Sequence, residues 1–161
     1  MSCRFVAIAA ALVLAVVGCS ESGAPTTPPN GAQGRLVYVF DGDSMEVDVD
    51  GSVEEVRLIG INAPEENECF GDEARDALIN LIADRDLVLV TGSGDDIDQY
   101  GRLLSYVYVD EENVNGRTLA EGNAVTLQGD HRYNDEFAEI GNLAAGAMLG
   151  MWAPDACGPA P

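Results

Sequence analysis

Three polar clusters carry residue types that together suit the cleavage of a phosphodiester bond. They are DGD at 41–43, VRLIGINAPE at 56–65 and DQYGR at 98–102. Carboxylate and carbonyl oxygens hold hard divalent cations, and arginines bind phosphate oxygens in bidentate fashion. A further carboxylate can orient or deprotonate an attacking water. Each cluster taken alone is equally typical of a turn, a strand end or a loop, so only their combination favours a catalytic site.

The environment of Arg57 sharpens this interpretation. The predicted strand 56–61 carries apolar residues on both faces, so the arginine is partly desolvated. A half-buried arginine without a partner is energetically costly. We therefore expect a carboxylate or a bound anion beside it.

The hydrophobic pattern predicts a small barrel with helices packed against it. Asp50-Gly51 is a strong hairpin signal between two of the strands. Apolar stripes at helical spacing mark three helices. The predicted strands are 36–40, 45–49, 56–61, 87–91 and 103–109, and the predicted helices are 72–83, 114–121 and 133–149.

The N-terminus reads as an export signal. The apolar run 5–17 is too short for a comfortable membrane span and fits a secretory signal peptide over residues 1–18. The sequence VVGC resembles a bacterial lipobox, which predicts lipidation of Cys19; an ordinary cleaved signal with an incidental cysteine is the alternative. Residues 19–34 are small and Pro-rich, as expected of a flexible tether. We thus expect a cell-envelope lipoprotein or a secreted protein.

Two of the four cysteines remain after this assignment. Cys3 leaves with the signal and Cys19 carries the lipid, so Cys69 and Cys157 are expected to pair, as exported cysteines usually do. The bond would stabilise by about 4–5 kcal/mol in the chain-entropy model and pin the tail 156–161. The alternative is a zinc site, for which His131 alone does not complete the four ligands.

The charge of the chain argues against a polyanionic partner. Beyond Cys19 there are seven arginines, no lysine and 28 acidic residues, which gives a formal charge of −21. Such a surface repels nucleic acid unless salt, a bound cation or local arginines intervene. A lysine-free, acid-rich surface also suits high-salt surroundings, where the repulsion is screened.

In combination, the motifs resemble the staphylococcal nuclease (thermonuclease) family over residues 35–152. The carriers are VFDGDSMEV, VRLIGINAPE, CFGDEA, DQYGRLLSYVYV, the VN before the second helix, and GMW. The resemblance implies an OB-fold, a five-stranded barrel with three helices, over a domain expected to span 35–155. It also implies a calcium-dependent nuclease that acts on DNA and RNA and leaves 3′-phosphates.

The resemblance assigns a metal site to three of these residues. Asp43 matches a calcium-ligating carboxylate, and Ala63 stands where the family supplies a backbone carbonyl to the single calcium ion. Asn62 stands where the family usually has a second ligating aspartate. An asparagine carbonyl still ligates calcium, but one charge is lost, so calcium affinity should weaken.

The resemblance also assigns the catalytic side chains. Arg57 and Arg102 match the two phosphate-binding arginines, which stabilise the charge of the transition state. Glu65 matches the residue that positions or activates the attacking water. Tyr100 matches a tyrosine of the nucleotide pocket.

Three functions follow from these observations, the third being a nuclease adapted to high salt or to a different divalent ion. The first is an exported, membrane-tethered nuclease, expected to be a monomer without a protein partner. The second is a weak or inactive OB-fold lipoprotein with a binding role, motivated by Asn62, by the charge and by a missing pocket tyrosine near Leu127-Gln128. His131, in a polar loop, is expected to be solvent-exposed.

Overall fold

The computed structural model describes residues 30–92 and 96–157, and eight strands and three helices lie within them. The predicted signal peptide, Cys19 and most of the predicted tether lie outside the described residues. The strands are β1 (Ala32–Val39), β2 (Ser44–Val49), β3 (Ser52–Leu58), β4 (Ile61–Asn62), β5 (Asp86–Thr91), β6 (Leu103–Val109), β7 (Glu112–Asn113) and β8 (Val125–Thr126). The helices are α1 (Gly71–Ile82), α2 (Val114–Ala120) and α3 (Asn134–Gly146), and a 3-10 turn follows at Gly150–Trp152.

Five strands close into a barrel. The antiparallel neighbours run in the order β3-β2-β1-β5-β6, and a parallel pairing of β3 with β6 joins the two ends. A register shift between Leu36 and Tyr38 breaks the ladder of β1 with β2, and bulges of this kind bend strands as a closed barrel requires. The mixed five-stranded barrel with three helices confirms the predicted OB-fold.

The boundaries of two predicted strands were wrong. The first strand begins at Ala32 rather than beyond the tether, because residues 32–35 pair with β5. The strand predicted over 56–61 ends at Leu58, because Gly60 has a φ of 79° and turns the chain. After that turn Ile61–Asn62 forms β4, which pairs with β8.

The third helix is also shorter than predicted. It ends at Gly146 instead of continuing to Leu149, because Met148 has a φ of 56°, a left-handed conformation that ends an α-helix. The chain then enters the 3-10 turn that carries Trp152.

The barrel interior is a continuous apolar core, which α1, α2 and α3 extend on the outside. Its largest fully buried side chains include Met45, Leu58, Tyr106, Leu119 and Phe137. Helix α1 is joined to the barrel by Arg75, whose Nε donates to the carbonyl of Val39 at 3.0 Å.

A disulfide joins Cys69 to Cys157, as the sequence predicts, with a Cα–Cα distance of 5.5 Å. It ties the C-terminal tail to the loop between β4 and α1. Among the described residues no helix has both the length and the apolar character to cross a bilayer.

Candidate active site

The site is built around a buried ion pair between β2 and the end of β3. The register sets Ser44 opposite Arg57, which brings the guanidinium beside the carboxylate that precedes β2. Arg57 Nε lies 3.0 Å from Asp43 Oδ1, and the two side chains are only 13% and 5% exposed. Asp43 is therefore the carboxylate that the half-buried arginine requires.

The remaining contacts of Arg57 fix its orientation. Its Nη1 donates to the carbonyls of Leu58 and Ile61, each at 2.8 Å, and its Nη2 donates to Asn62 Oδ1 at 3.1 Å. A guanidinium has five N–H groups. One N–H of Nη2 thus stays without a partner among the described residues, so the arginine is held rigidly with a single free donor.

The carboxylate of Asp43 is bound on both oxygens. Its Oδ1 also accepts from the hydroxyl of Ser44 at 3.0 Å, and its Oδ2 accepts from the backbone N–H of Ala63 at 2.6 Å. Burial raises the pKa of Asp43 to about 6, although Arg57 and the Ala63 N–H lower it. Desolvation therefore outweighs the attraction of the ion pair.

The turn before β2 packs tightly on this cluster. Asp41 Oδ1 accepts from the backbone N–H of Asp43 at 2.8 Å. A Cβ on Gly42 would lie 2.7 Å from that of Ala63 and 2.9 Å from that of Ala74 in α1. Only glycine allows this turn to approach both β4 and the helix so closely.

The predicted calcium donors meet here, and their chemistry fits the ion. Asp43 would supply a carboxylate, and Ala63 and Asn62 would supply carbonyl oxygens, all of the hard type that calcium prefers. Within the described part of the chain no group of three or more Asp, Glu, His or Cys side chains is placed to hold a metal. The donor set is thus poor in charge, because Asn62 is neutral and its Oδ1 accepts from Arg57.

The second arginine is positioned by a carboxylate of its own loop. Both Nε and Nη2 of Arg102 lie 2.8 Å from Asp98 Oδ2. Asp98 Oδ1 accepts from the backbone N–H groups of Tyr100 and Arg102. Burial raises the pKa of Asp98, but these hydrogen bonds outweigh it and hold the pKa below its ordinary value.

Tyr100 is displayed on the outside of this loop. Its side chain is 75% exposed, and the Arg102 guanidinium carbon lies 5.4 Å from the ring centroid. The exposed ring and the partly buried cation therefore lie side by side, an arrangement that suits contact with a nucleotide.

Arg57 and Arg102 line one open cleft of about 400 Å³, together with residues of the loop 127–131. His131, which was expected to be solvent-exposed, belongs to its wall and is partly buried. Its Nε2 lies 3.1 Å from the carbonyl of Leu127, and its Nδ1 lies 3.3 Å from the hydroxyl of the buried Tyr106. A Cβ on Gly60 would lie 2.6 Å from the imidazole, so the histidine packs directly on the turn after Arg57.

Glu65 lies outside this network of contacts. It is exposed on the loop between β4 and α1, three residues after Asn62. Its backbone N–H donates a hydrogen bond to Glu68 Oε2 at 3.1 Å. Within the described residues no hydrogen bond or ion pair joins the Glu65 carboxylate to Asp43 or Arg57.

The comparison with known proteins decides the family. Residues 55–154 match the family model described as "Staphylococcal nuclease homologue", which is more than half of the 161 residues. The chain belongs to the staphylococcal nuclease family. The match begins inside β3, so Asp41 and Asp43 precede it.

Curated relatives of this family member cover most of the chain. "Protein ParB" of Escherichia coli is 33% identical over 131 residues, which is 75% of this chain and 72% of the relative. "Endonuclease YncB" of Bacillus subtilis is 33% identical over 141 residues, 79% and 67% respectively. "Micrococcal nuclease" of Shigella flexneri is 34% identical over 131 residues, 75% and 74% respectively.

Two positioning residues of this family member were missed by sequence reasoning. Asp98 lies in the DQYGR motif, and the sequence alone indicates no role for it. Asn115, in the VN motif, is fully buried; its Nδ2 donates to the carbonyls of Ile59 and Ser105, and its Oδ1 accepts from the N–H of Val107. Asn115 therefore ties the turn after Arg57 to β6. In the sequence, the only indication of this role is that Asn115 stands at the start of a predicted helix.

The raised pKa of Asp43 predicts a pH-dependent stability difference. The neutral form is favoured in the folded state, so Asp43 contributes stability below pH 3.8 that is lost as the pH rises through about 6. In the presence of a chelator, the unfolding free energy of Asp43→Asn minus that of the wild type should increase by about 3 kcal/mol as the pH rises from 3.8 to about 6. Urea unfolding at pH 4 to 7 measures it.

The exposed variant Asp76→Asn removes the same charge from α1 and is the matched control. It should show a clearly smaller change with pH. A constant difference between Asp43→Asn and the wild type across this range would contradict the burial argument.

Proposed function

We propose that the chain is an exported, membrane-tethered, calcium-dependent nuclease that hydrolyses phosphodiester bonds of DNA or RNA and leaves 3′-phosphates. The observation that carries the proposal is the convergence of Arg57 and Arg102 on one cleft. Relatives named as an endonuclease and a micrococcal nuclease support the activity. The signal sequence and Cys19 support the export and the lipid anchor.

The two arginines would bind the phosphate from different directions. Arg57 has one unpartnered N–H and is held by four contacts. Arg102 uses one edge for Asp98 and leaves both N–H groups of Nη1 available. Negative charge grows on the phosphoryl oxygens as water attacks. Prepositioned guanidinium groups stabilise that charge without reorganisation, which is the main source of catalysis in such sites.

Glu65 would orient the attacking water and take its proton. Its carboxylate has no competing partner in the described structure, and a base at this position needs only modest strength. Asp43, Asn62 Oδ1 and the Ala63 carbonyl would hold one calcium ion, which supplies positive charge next to the phosphate. Tyr100 would contact the nucleotide beside Arg102.

A binding role without efficient catalysis is the second candidate, and Asn62 favours it. The amide oxygen accepts from Arg57, and its Nδ2 lies 3.4 Å from the carbonyl of Ala63. Both neutral metal donors are therefore engaged within the chain. A site in which these contacts persist would bind calcium weakly and cleave slowly.

Cleavage by the full-length protein tests the proposal. With denatured DNA and calcium from micromolar to tens of millimolar, Arg102→Ala should lower kcat/KM by roughly 10²–10³-fold, since one transition-state donor is lost. Glu65→Gln should lower kcat by roughly 10²–10⁴-fold, since the general base is lost. A chelator should abolish the activity.

The neighbouring exposed Glu66 gives a matched control, and Glu66→Gln should cleave like the wild type. If no metal-dependent cleavage occurs at any calcium or salt concentration, the nuclease proposal fails and the binding role stands.

Restoring a carboxylate at position 62 should strengthen calcium binding. Asn62→Asp adds one negative charge to the donor set, so the calcium concentration for half-maximal cleavage should fall by roughly tenfold. Asn80→Asp, on the exposed face of α1, adds the same charge elsewhere and should leave this concentration unchanged. An unchanged calcium requirement in Asn62→Asp would show that position 62 is not a ligand.

A further inference from the structure

We propose that a second, uncharged groove binds a nucleobase of the substrate strand by stacking on Trp152. The inference rests on the proposed nuclease function and adds a base subsite to it. The groove has a volume of about 220 Å³ and lies between β8 and α3. It is lined on one side by Val125, Thr126 and Gln128, on the other by residues of α3, and by Trp152.

Two structural features connect the groove to the candidate active site. Gln128 lines both the groove and the cleft that contains Arg57 and Arg102. In addition, Val125 of β8 pairs directly with Asn62 of β4. Neighbouring β-strands lie about 4.8 Å apart. A nucleic-acid strand bound in the cleft can therefore continue into the groove.

The chemistry of the lining suits a base better than it suits a phosphate. It contains no charged side chain, although the molecule is strongly acidic. The side-chain amides of Gln128 and Asn142 have no hydrogen-bond partner within the described residues, and both residues are exposed. Amides of this kind donate and accept, as the edge of a base requires. Trp152 is 39% exposed and offers an aromatic face for stacking.

The backbone of the turn that carries Trp152 is closely packed, which fixes the position of this residue beside the groove. Gly122 and Gly150 have φ values of 74° and 53°, and their backbones are in close contact. A side chain on Gly122 would collide with the carbonyl of Leu149, and one on Gly150 would collide with the carbonyl of Gly122. The N–H of Met151 also donates to the carbonyl of Gly122 at 2.9 Å.

The junction of β8 and α3, which also lines the groove, is closely packed as well. Thr126 Oγ1 donates to the carbonyl of Phe137 at 2.9 Å. A Cβ on Gly141 would lie 2.5 Å from Thr126 Oγ1, so α3 packs directly on β8. The groove therefore exists before any ligand binds.

The charge of the molecule gives this subsite a physical purpose. A chain with 28 acidic residues repels the phosphates of a long strand outside the cleft. Stacking of a base on an aromatic ring does not depend on that charge. For a nucleic-acid strand that extends beyond the cleft, affinity is thus supplied by contacts with its bases.

The single tryptophan of the chain makes the proposal measurable. Full-length Glu65→Gln protein with calcium is titrated with a thymidine decamer, a thymidine dinucleotide or inorganic phosphate. The decamer should change the emission of Trp152, and inorganic phosphate should not. Free N-acetyltryptophanamide corrects for absorption by the bases.

Cleavage kinetics provide the second measurement. In the otherwise wild-type protein, Asn142→Ala and Trp152→Leu should raise KM for the decamer by about 5- to 10-fold with kcat unchanged, as expected for lost base contacts. KM for the dinucleotide should stay the same. Asn80→Ala on α1 is the matched control for the exposed asparagine, and thermal unfolding of each variant reports on its fold.

The outcomes separate this inference from the function on which it rests. If the decamer is cleaved but neither the emission nor KM responds, the subsite is overturned and the nuclease stands. If the decamer changes the emission without being cleaved, the subsite is supported and catalysis fails. If it does neither, both proposals fail.

Discussion

The ion pair of Asp43 and Arg57 is the interaction on which the whole candidate site depends. It joins the turn before β2 to the end of β3, and the backbone of Ala63 reaches the same carboxylate from β4. Three segments are therefore held by one carboxyl group. The pair is energetically costly, because the burial of Asp43 outweighs the attraction of the arginine and raises the pKa of Asp43 to about 6. Buried ion pairs often contribute little net stability. This one is better understood as the interaction that fixes the orientation of Arg57, the side chain proposed to bind phosphate.

The same arrangement recurs at the second arginine, with a difference that matters for binding. Asp98 holds Arg102 along one edge, but both side chains are more exposed, at 15% and 23%. Of the two arginines that line the cleft, Arg57 is thus the more buried and Arg102 the more accessible. Both positive charges are partly neutralised by their own carboxylates, and the chain as a whole is acidic. Phosphate binding at this cleft is therefore expected to be local and to depend on a bound cation, unlike the broad electrostatic attraction of basic nucleic-acid-binding proteins.

Much of this architecture is readable from the sequence because it rests on local patterns. The alternation around Asp50-Gly51 predicts the β2–β3 hairpin, and apolar spacing predicts the three helices. The need of Arg57 for a partner is also predictable, since both faces of its strand are apolar. The pairing of Ile61–Asn62 with Val125–Thr126 is not, because two-residue strands carry no period and their partner is distant in sequence. The same limit applies to Asn115 and His131, whose roles depend on which backbone groups the fold places beside them.

A double-mutant cycle at positions 43 and 57 tests the central claim most directly. Unfolding free energies are measured at pH 8 in a chelator for Asp43→Asn, Arg57→Met and the double variant. Removing the arginine alone leaves a buried carboxylate unpaired, which should cost about 3–5 kcal/mol. Removing Asp43 as well should recover at least about 2 kcal/mol of that loss. Strictly additive effects of the two substitutions would contradict the account.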